Sequence, residues 1–486
     1  MRCEPAKRRR RIEILCIAAT VSVVYMLSLN AGFLALDDTD TIRFVQSGKV
    51  SLHDLIFSGG KGYYRPLPIL SLQVDFLFFG GNPAGYHLTN LLLHLANALL
   101  VYHLATMIMR EQEGNTFFPF LAGMLFAAHP VNSEAVAWIC GRADLLCCFF
   151  FLLTFIALTR PGRRMTPAAG VLIFVAFLCS LMSKEASLFL VILAPIWLYL
   201  EKGATQWRGM LTACVPVFFA AIVYLTLRQG LPVSADPAAT PTPVSGGRAL
   251  SFVVEGVAAY GFYLGKLVYP FPLNIAITEI PSGTCVGIFF LVAAVSIPLW
   301  FKKTALRAPL CFLALSLVPP IGAMYLSLPW TPYAERYLYL PSVAFSLCVV
   351  VVSAGHVSRI PRLVPMMCVL LFAVLTAHRV ALWTRPIPFW LDAVAKSPRF
   401  GTVRLLLSAA YLQEGRYREA EERLREAIRL GLPRKNARDF SATLERLLKE
   451  KSTGKTGEPP RTGSGLTMGA SGNDISESIT TSQPES

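Results

Sequence analysis

Residues 8–38 read RRRRIEILCIAATVSVVYMLSLNAGFLALDD. Arg8, Arg9, Arg10 and Arg11 precede 23 uncharged residues from Ile14 to Leu36, and Asp37 and Asp38 end the run at once. A helix of ~20 apolar residues is long enough to cross the hydrocarbon core of a bilayer, whereas a cleavable leader has a shorter apolar region. The stretch therefore predicts a first membrane helix with bases on its inner side and carboxylates at its outer end.

The same alternation recurs along the chain. Apolar runs begin near Ile14, Tyr86, Phe117, Leu145, Met165, Ala186, Gly209, Ser282, Ala308, Tyr337 and Leu363, which predicts eleven spans. With the amino terminus inside, Arg110, the cluster Arg160, Arg163 and Arg164, the pair Lys202 and Arg208, the trio Lys302, Lys303 and Arg307, and the pair Arg359 and Arg362 all fall inside. The short outer loops keep Arg142, Lys184 and Arg336, each within two residues of an acid. The segment from Leu250 to Tyr269 holds Glu255 and Lys266. As a span it would throw the basic loops at Lys302 and Arg359 outside, so it is read as an interfacial or re-entrant helix on the outer side.

Composition agrees. The hydrophobic fraction is 54% and the charged fraction 15%, against ~25% charged in soluble domains. The net charge of +15 lies between apolar runs, so it bears on topology and excludes a nucleic-acid footprint on a soluble face. The eleven cysteines are scattered without a CxxC pair, which supports neither a zinc site nor a disulfide framework.

After Trp383 the pattern becomes that of soluble helices. From Gly401 to Pro433, Ser408, Tyr411, Gly415, Tyr417, Ala420, Leu424 and Ala427 stand at the offsets of a tetratricopeptide unit. Phe389 to Pro398 reads as half of a preceding unit and Arg438 to Lys451 as a capping helix. The expected organisation is a multi-span domain over 1–385, with a first outer loop at 37–85 and a flexible outer loop at 228–248. A tetratricopeptide-like module over 386–451 and a disordered tail over 452–486 follow. One and a half repeats is fewer than a solenoid needs, so the module leans on the membrane domain or on a protein partner.

Charged residues at span ends are functional candidates by default, with solvated helix ends and local salt bridges as the plain alternative. Asp37, Asp38 and Asp40 stand where a lipid-linked headgroup would lie. His129 and Glu134, followed by Arg142 and Asp144, fill one short outer segment; Lys184-Glu185 and Glu335-Arg336 mark two more, and Tyr64-Arg65-Pro66 offers a further cation. A boundary Arg can snorkel, or hold a lipid phosphate through its planar fork. His87, Asn90, His94 and Asn97 share one helical face, where packing between helices outweighs lining a substrate path.

The strings Tyr64 to Pro68, Asn82 to His94, His129 to Leu146, Ser183-Lys184-Glu185 and Glu335 to Pro341 together resemble the transmembrane and tetratricopeptide repeat protein family. That family belongs with the GT-C glycosyltransferases and is related to the protein O-mannosyltransferases. The resemblance runs from about Ile14 to Pro433. It implies an all-α fold of about eleven transmembrane helices with the repeats on the outer side, and an enzyme that uses a polyprenyl-phosphate sugar as donor. It also implies an acidic residue in the first outer loop, matching Asp37 and Asp38. Two departures put acceptor and sugar in question: the repeat array is short, and the first-loop pair is Asp-Asp where protein O-mannosyltransferases carry Asp-Glu.

The expected chemistry is an inverting displacement, hexosyl or mannosyl transfer to a protein or glycan hydroxyl, with Asp37 or Asp38 as general base. Arg65, Lys184 and Arg336 meet the leaving phosphate, and His129, Glu134, Arg142, Asp144 and Glu185 complete the substrate site. A divalent cation (Mg or Mn) on Asp38, Glu134 or Asp144 is an open addition. The chain carries no Asn-x-Ser/Thr sequon, which leans toward a bacterial inner membrane with a periplasmic module over an endoplasmic reticulum membrane with a lumenal one. The competing readings are a transporter or flippase and an inactive tetratricopeptide scaffold.

Overall fold

A computed structural model describes residues 3–34, 36–47, 64–109, 116–160, 165–203, 207–229, 246–325, 331–354 and 361–431. Part of the first outer loop, Arg110, Arg163, Arg164, the loop 230–245, Arg359, Pro433, the capping helix and the tail lie outside the described residues.

Among the described residues the chain is helical, with one isolated bridge between Ile277 and Tyr333. Helix α1 (Cys3–Tyr25) runs on as a 3-10 turn (Met26–Asn30) toward the short α2 (Asp38–Gln46). Helices α3 (Pro66–Phe79) and α4 (Pro83–Ile108) meet at a turn that Asn82 caps, its side chain accepting the Ala84 N–H at 3.1 Å. Helix α5 (Phe117–Ala128) leads through an irregular segment containing α6 (Ser133–Ala137) into α7 (Arg142–Thr159). Then come α8 (Pro167–Ser183), a 3-10 turn (Glu185–Phe189), α9 (Leu190–Lys202), α10 (Trp207–Gln229), α11 (Gly246–Val268), α12 (Ser282–Lys302), α13 (Thr304–Ser316) and α14 (Val318–Tyr325). A 3-10 turn (Glu335–Leu338) opens α15 (Tyr339–Ala354), and α16 (Leu363–Trp383), α17 (Pro386–Lys396), α18 (Gly401–Gln413) and α19 (Tyr417–Arg429) complete the described chain.

Nine helices among the described residues are long and apolar enough to cross a membrane: Lys7–Asn30, Pro83–Ile108, Ile139–Thr159, Trp207–Gln229, Ser251–Val268, Ser282–Lys302, Thr304–Tyr325, Glu335–Ala354 and Leu363–Trp383. The protein is a multi-pass membrane protein. Eight of these coincide with expected spans. The runs expected near Phe117, Met165 and Ala186 form shorter helices, α5, α8 and α9. Helix α5 stops at twelve residues because His129, standing before Pro130, takes an extended backbone, and the chain from there to Ile139 is buried and mostly non-helical apart from α6. Such backbone is tolerated because protein surrounds it.

The ninth, α11, is the segment expected to lie along the surface. Lys303 Nζ donates to the Val352 carbonyl at 3.1 Å, so the start of α13 and the finish of α15 share one end of the bundle. Tyr325 and Glu335 therefore mark the opposite end. Helix α11 touches that opposite end twice: Phe252 stacks on Tyr325, and Lys266 pairs with Glu335 at 3.0 Å.

The main core is aliphatic and aromatic, with Phe151, Phe155, Phe189, Phe312 and Trp197 in mutual contact. The polar stripe of α4 is used between helices. The Asn90 amide donates to the Trp138 carbonyl at 2.9 Å, His94 and Asn97 both reach the Tyr339 hydroxyl, and Asn97 donates to the Leu145 carbonyl at 3.0 Å. Helices α17 to α19 share a second core with Leu34, Leu36, Ala137, Trp138, Ile275 and Trp383. They pack directly on the membrane domain at the end where α2 begins.

Candidate active site

The candidate residues gather at that same end. Its frame is the segment from His129 to Arg142, which reverses direction so tightly that a Cβ at Gly141 would lie 2.3 Å from the Ala135 carbonyl oxygen. Four ion pairs surround it. Arg336 Nη1 donates to Glu134 at 2.6 Å while the Arg336 backbone N–H takes the other Glu134 oxygen at 3.0 Å. Lys184 Nζ meets Asp144 at 2.5 Å. Arg65 grips Glu185 through two N–H groups, at 2.5 and 3.0 Å. Lys266 pairs with Glu335, whose Oε1 also accepts the Asn274 N–H at 3.0 Å. The ring of Tyr337 joins two of these pairs, with Lys184 Nζ and the Arg336 guanidinium carbon each 5.0 Å from its centroid. Trp138 lies against Arg336 at 5.3 Å, and its indole N–H has no acceptor among the described residues.

The two first-loop acids part company here. Asp38 is buried, and each carboxylate oxygen accepts a backbone N–H, from Leu34 and from Cys140, both at 3.0 Å. Burial raises its carboxyl to about 6, against the pull of those two hydrogen bonds. Asp37, one residue earlier, is half-buried and its side chain has no hydrogen-bond partner among the described residues. Burial raises it as well, Arg336 and Arg65 draw it back, and Asp40 adds to the rise. Among the described residues Asp37 is thus an unengaged carboxylate in the field of two cations, whereas Asp38 ties α2 to the coil that follows the first span and to the irregular segment.

Two other expected residues are structural in their contacts. His129 is fully buried; its Nε2 faces the Leu267 carbonyl at 2.9 Å and its Nδ1 the Val131 N–H at 3.4 Å. Those partners assign a neutral ring, and burial lowers its pKa to about 4. Arg142 is fully buried as well, 2.7 Å from Asp75, with the Asn90 amide oxygen, the Tyr86 carbonyl at 2.8 Å and Ser71 on its other donors. Asp75 was not among the expected residues. A lone acid inside the apolar run Pro66–Phe79 was the available signal, because such a group needs a buried cation.

No cluster of three or more potential metal ligands occurs among the described residues. The three carboxylates considered for a cation are engaged elsewhere: Asp38 by backbone N–H groups, Glu134 by Arg336 and Asp144 by Lys184. They do not fit a divalent ion as they stand.

No family model matches the chain. It is similar to several known proteins. It is 33% identical over 193 residues to protein O-mannosyl-transferase Tmtc1 of Drosophila melanogaster, over 37% of this chain and 22% of that protein. To protein O-mannosyl-transferase Tmtc2 of the same organism it is 31% identical over 212 residues, 40% of this chain and 22% of that protein. To protein O-mannosyl-transferase TMTC2 of Homo sapiens it is 44% identical over 100 residues, 21% and 12% of the two chains. The chain spans 22% of the length of each of the two Drosophila relatives. Among solved structures, that of ArnT from Cupriavidus metallidurans bound to undecaprenyl phosphate aligns with a TM-score of 0.43 at 14% identity, over 91% of this chain and 78% of that one. The homologues of this chain are thus protein O-mannosyl-transferases of the transmembrane and tetratricopeptide repeat family.

Proposed function

We propose that this chain is a membrane glycosyltransferase of the GT-C type that moves a sugar, mannose by its relatives' names, from a polyprenyl-phosphate donor to an acceptor hydroxyl. The observation that carries the reading is Asp37: a half-buried carboxylate with no hydrogen-bond partner among the described residues, in the field of Arg336 and Arg65 at the outer end of the first span. In the proposed step the acceptor oxygen attacks the anomeric carbon, its proton passes to Asp37, and the bond from that carbon to the phosphate oxygen breaks with inversion. The polyprenyl phosphate leaves with the electron pair, and its charge is met by Arg336, Lys184 and Arg65. Arg336 can serve while keeping Glu134, because only Nη1 of its fork is engaged there. The reading assigns Asp38 to holding Asp37 in place, and His129 and Arg142 to the frame.

The proposed topology sets this end of the bundle outside, with α11 along the outer surface and α17 to α19, a tetratricopeptide-like module, on the same side. The transporter reading gains nothing from these ion pairs, which stand at the bundle end rather than at mid-depth.

The test is transfer from labelled polyprenyl-phosphate mannose to protein in membranes carrying the full chain. Asp37→Asn lowers turnover by ~10²–10⁴-fold with the fold intact, and Asp38→Asn acts chiefly on thermal stability. An Asp37→Asn variant that transfers at the wild-type rate sinks the assignment. For the donor, Arg336→Lys is cleaner than Arg336→Ala, which strands Glu134. The lysine keeps the charge and loses the fork, so an intermediate loss of donor affinity is expected.

A further inference from the structure

The opposite end of the bundle carries a groove that the proposed reaction does not use. It measures about 850 Å³, within the 300–1,000 Å³ typical of ligand sites. Helix α1 supplies its cations, Lys7, Arg8, Arg9 and Arg11, and α5 supplies its apolar wall, Phe117 and Phe120. The acid in the groove, Glu13, is already satisfied by Arg9, the Tyr102 hydroxyl at 2.8 Å and the Thr116 hydroxyl at 2.6 Å. Lys7, Arg8 and Arg11 are exposed and make no ion pair among the described residues. Phe117 also borders a second, narrower cavity of about 240 Å³ that continues between α5, α15 and α16 past Leu121, Leu125 and Val349. Arg362 stands over the Phe117 ring at 5.5 Å, at the junction of the two.

We propose that this groove binds one anionic phospholipid, its phosphate ester on Lys7, Arg8 and Arg11 and an acyl chain along Phe117 and Phe120 into the slot beyond. Orientation of the chain needs only the sign of these charges. It does not need a concave seat, an apolar wall or an adjoining slot, and together these match the two halves of a lipid. The site stands at the far end of α1 from Asp37, so it is independent of the transfer reading.

The experiment places the full chain in nanodiscs of phosphatidylcholine with a minority of phosphatidylglycerol and counts retained lipid by native mass spectrometry. Wild type retains phosphatidylglycerol over phosphatidylcholine by about tenfold. The triple variant Lys7→Gln, Arg8→Gln, Arg11→Gln loses that preference. Because those charges also orient the chain, Cys16→Trp is the second variant: it fills the groove from its wall and leaves every charge in place. It too loses the preference. Equal retention of the two lipids by wild type overturns the proposal, as does an undiminished preference in Cys16→Trp. Displacement of the lipid by glycerol 1-phosphate overturns it as well, since the seat is then one for a soluble phosphate ester.

Discussion

The two ends of the bundle hold charge in opposite ways. At the end of Lys7 to Arg11 the bases are exposed, and among the described residues Arg9 alone of them makes an ion pair, with Glu13. At the end of Asp37 the bases Lys184, Lys266 and Arg336 are buried, and each is pressed against a carboxylate. A surface charge contributes little energy. A buried one becomes a liability once its partner is removed. The same residue types therefore stand unpaired at one end and build architecture at the other, and Asp37 stands out at the second end as a carboxylate with no hydrogen-bond partner among the described residues.

The sharpest way to break the contrast is Glu134→Ala. It leaves Arg336 buried without a partner, and the expected cost is about 3–5 kcal/mol, read as a large drop in the thermal midpoint in nanodiscs. A small drop would mean that water reaches Arg336 freely.

Next in size is a pH effect at Asp38. Its carboxyl is raised in the folded chain to about 6, so folding takes up a proton between that value and the ordinary ~4 of an unfolded aspartate. Stability at this site is fully present at low pH and is lost as pH rises through about 6, by at most about 3 kcal/mol. Comparing the thermal midpoints of wild type and Asp38→Asn across pH 4 to 7 isolates it: the difference should grow with acidity. Glu185 behaves in the reverse sense. Burial alone would raise it, but Arg65 holds it at about 2, so its contribution is present above the ordinary carboxylate range and fades as pH falls toward 2.

A smaller loss follows Arg65→Ala, which removes a partly exposed bidentate pair and should cost about 1 kcal/mol. It should also raise the acid limb of any pH–rate profile, because one of the cations that draws Asp37 down is gone. The smallest effect belongs to Arg8→Gln, within about 0.5 kcal/mol. A larger loss there would show that the basic end is structural after all.

Much of this was legible in the residues. Apolar run lengths and the charges between them located eight of the nine long helices among the described residues, because a bilayer imposes its thickness on the chain. The polar stripe of α4 reads as packing, and three of its four residues, Asn90, His94 and Asn97, bond to neighbouring elements. Spacing could not tell that Asp38 turns inward while Asp37 does not, since both occupy the same helix end; the choice rests on backbone N–H groups of Leu34 and Cys140, and Cys140 stands far away in sequence. Asp75 escaped notice for a related reason. Its segment was read as part of the first outer loop, 37–85, and its cation Arg142 lies on a helix that sequence alone could not bring beside it.

The pair at the centre of the candidate site has a consequence in time. Glu134 and Arg336 are separated by 202 residues. At about 5–20 residues per second, the carboxylate emerges on the order of ten to forty seconds before its cation has been synthesised. During that interval the first helices cannot yet close around it without burying an unpaired charge, so the half-made chain must keep this end open to water or proton. The site closes when α15 arrives.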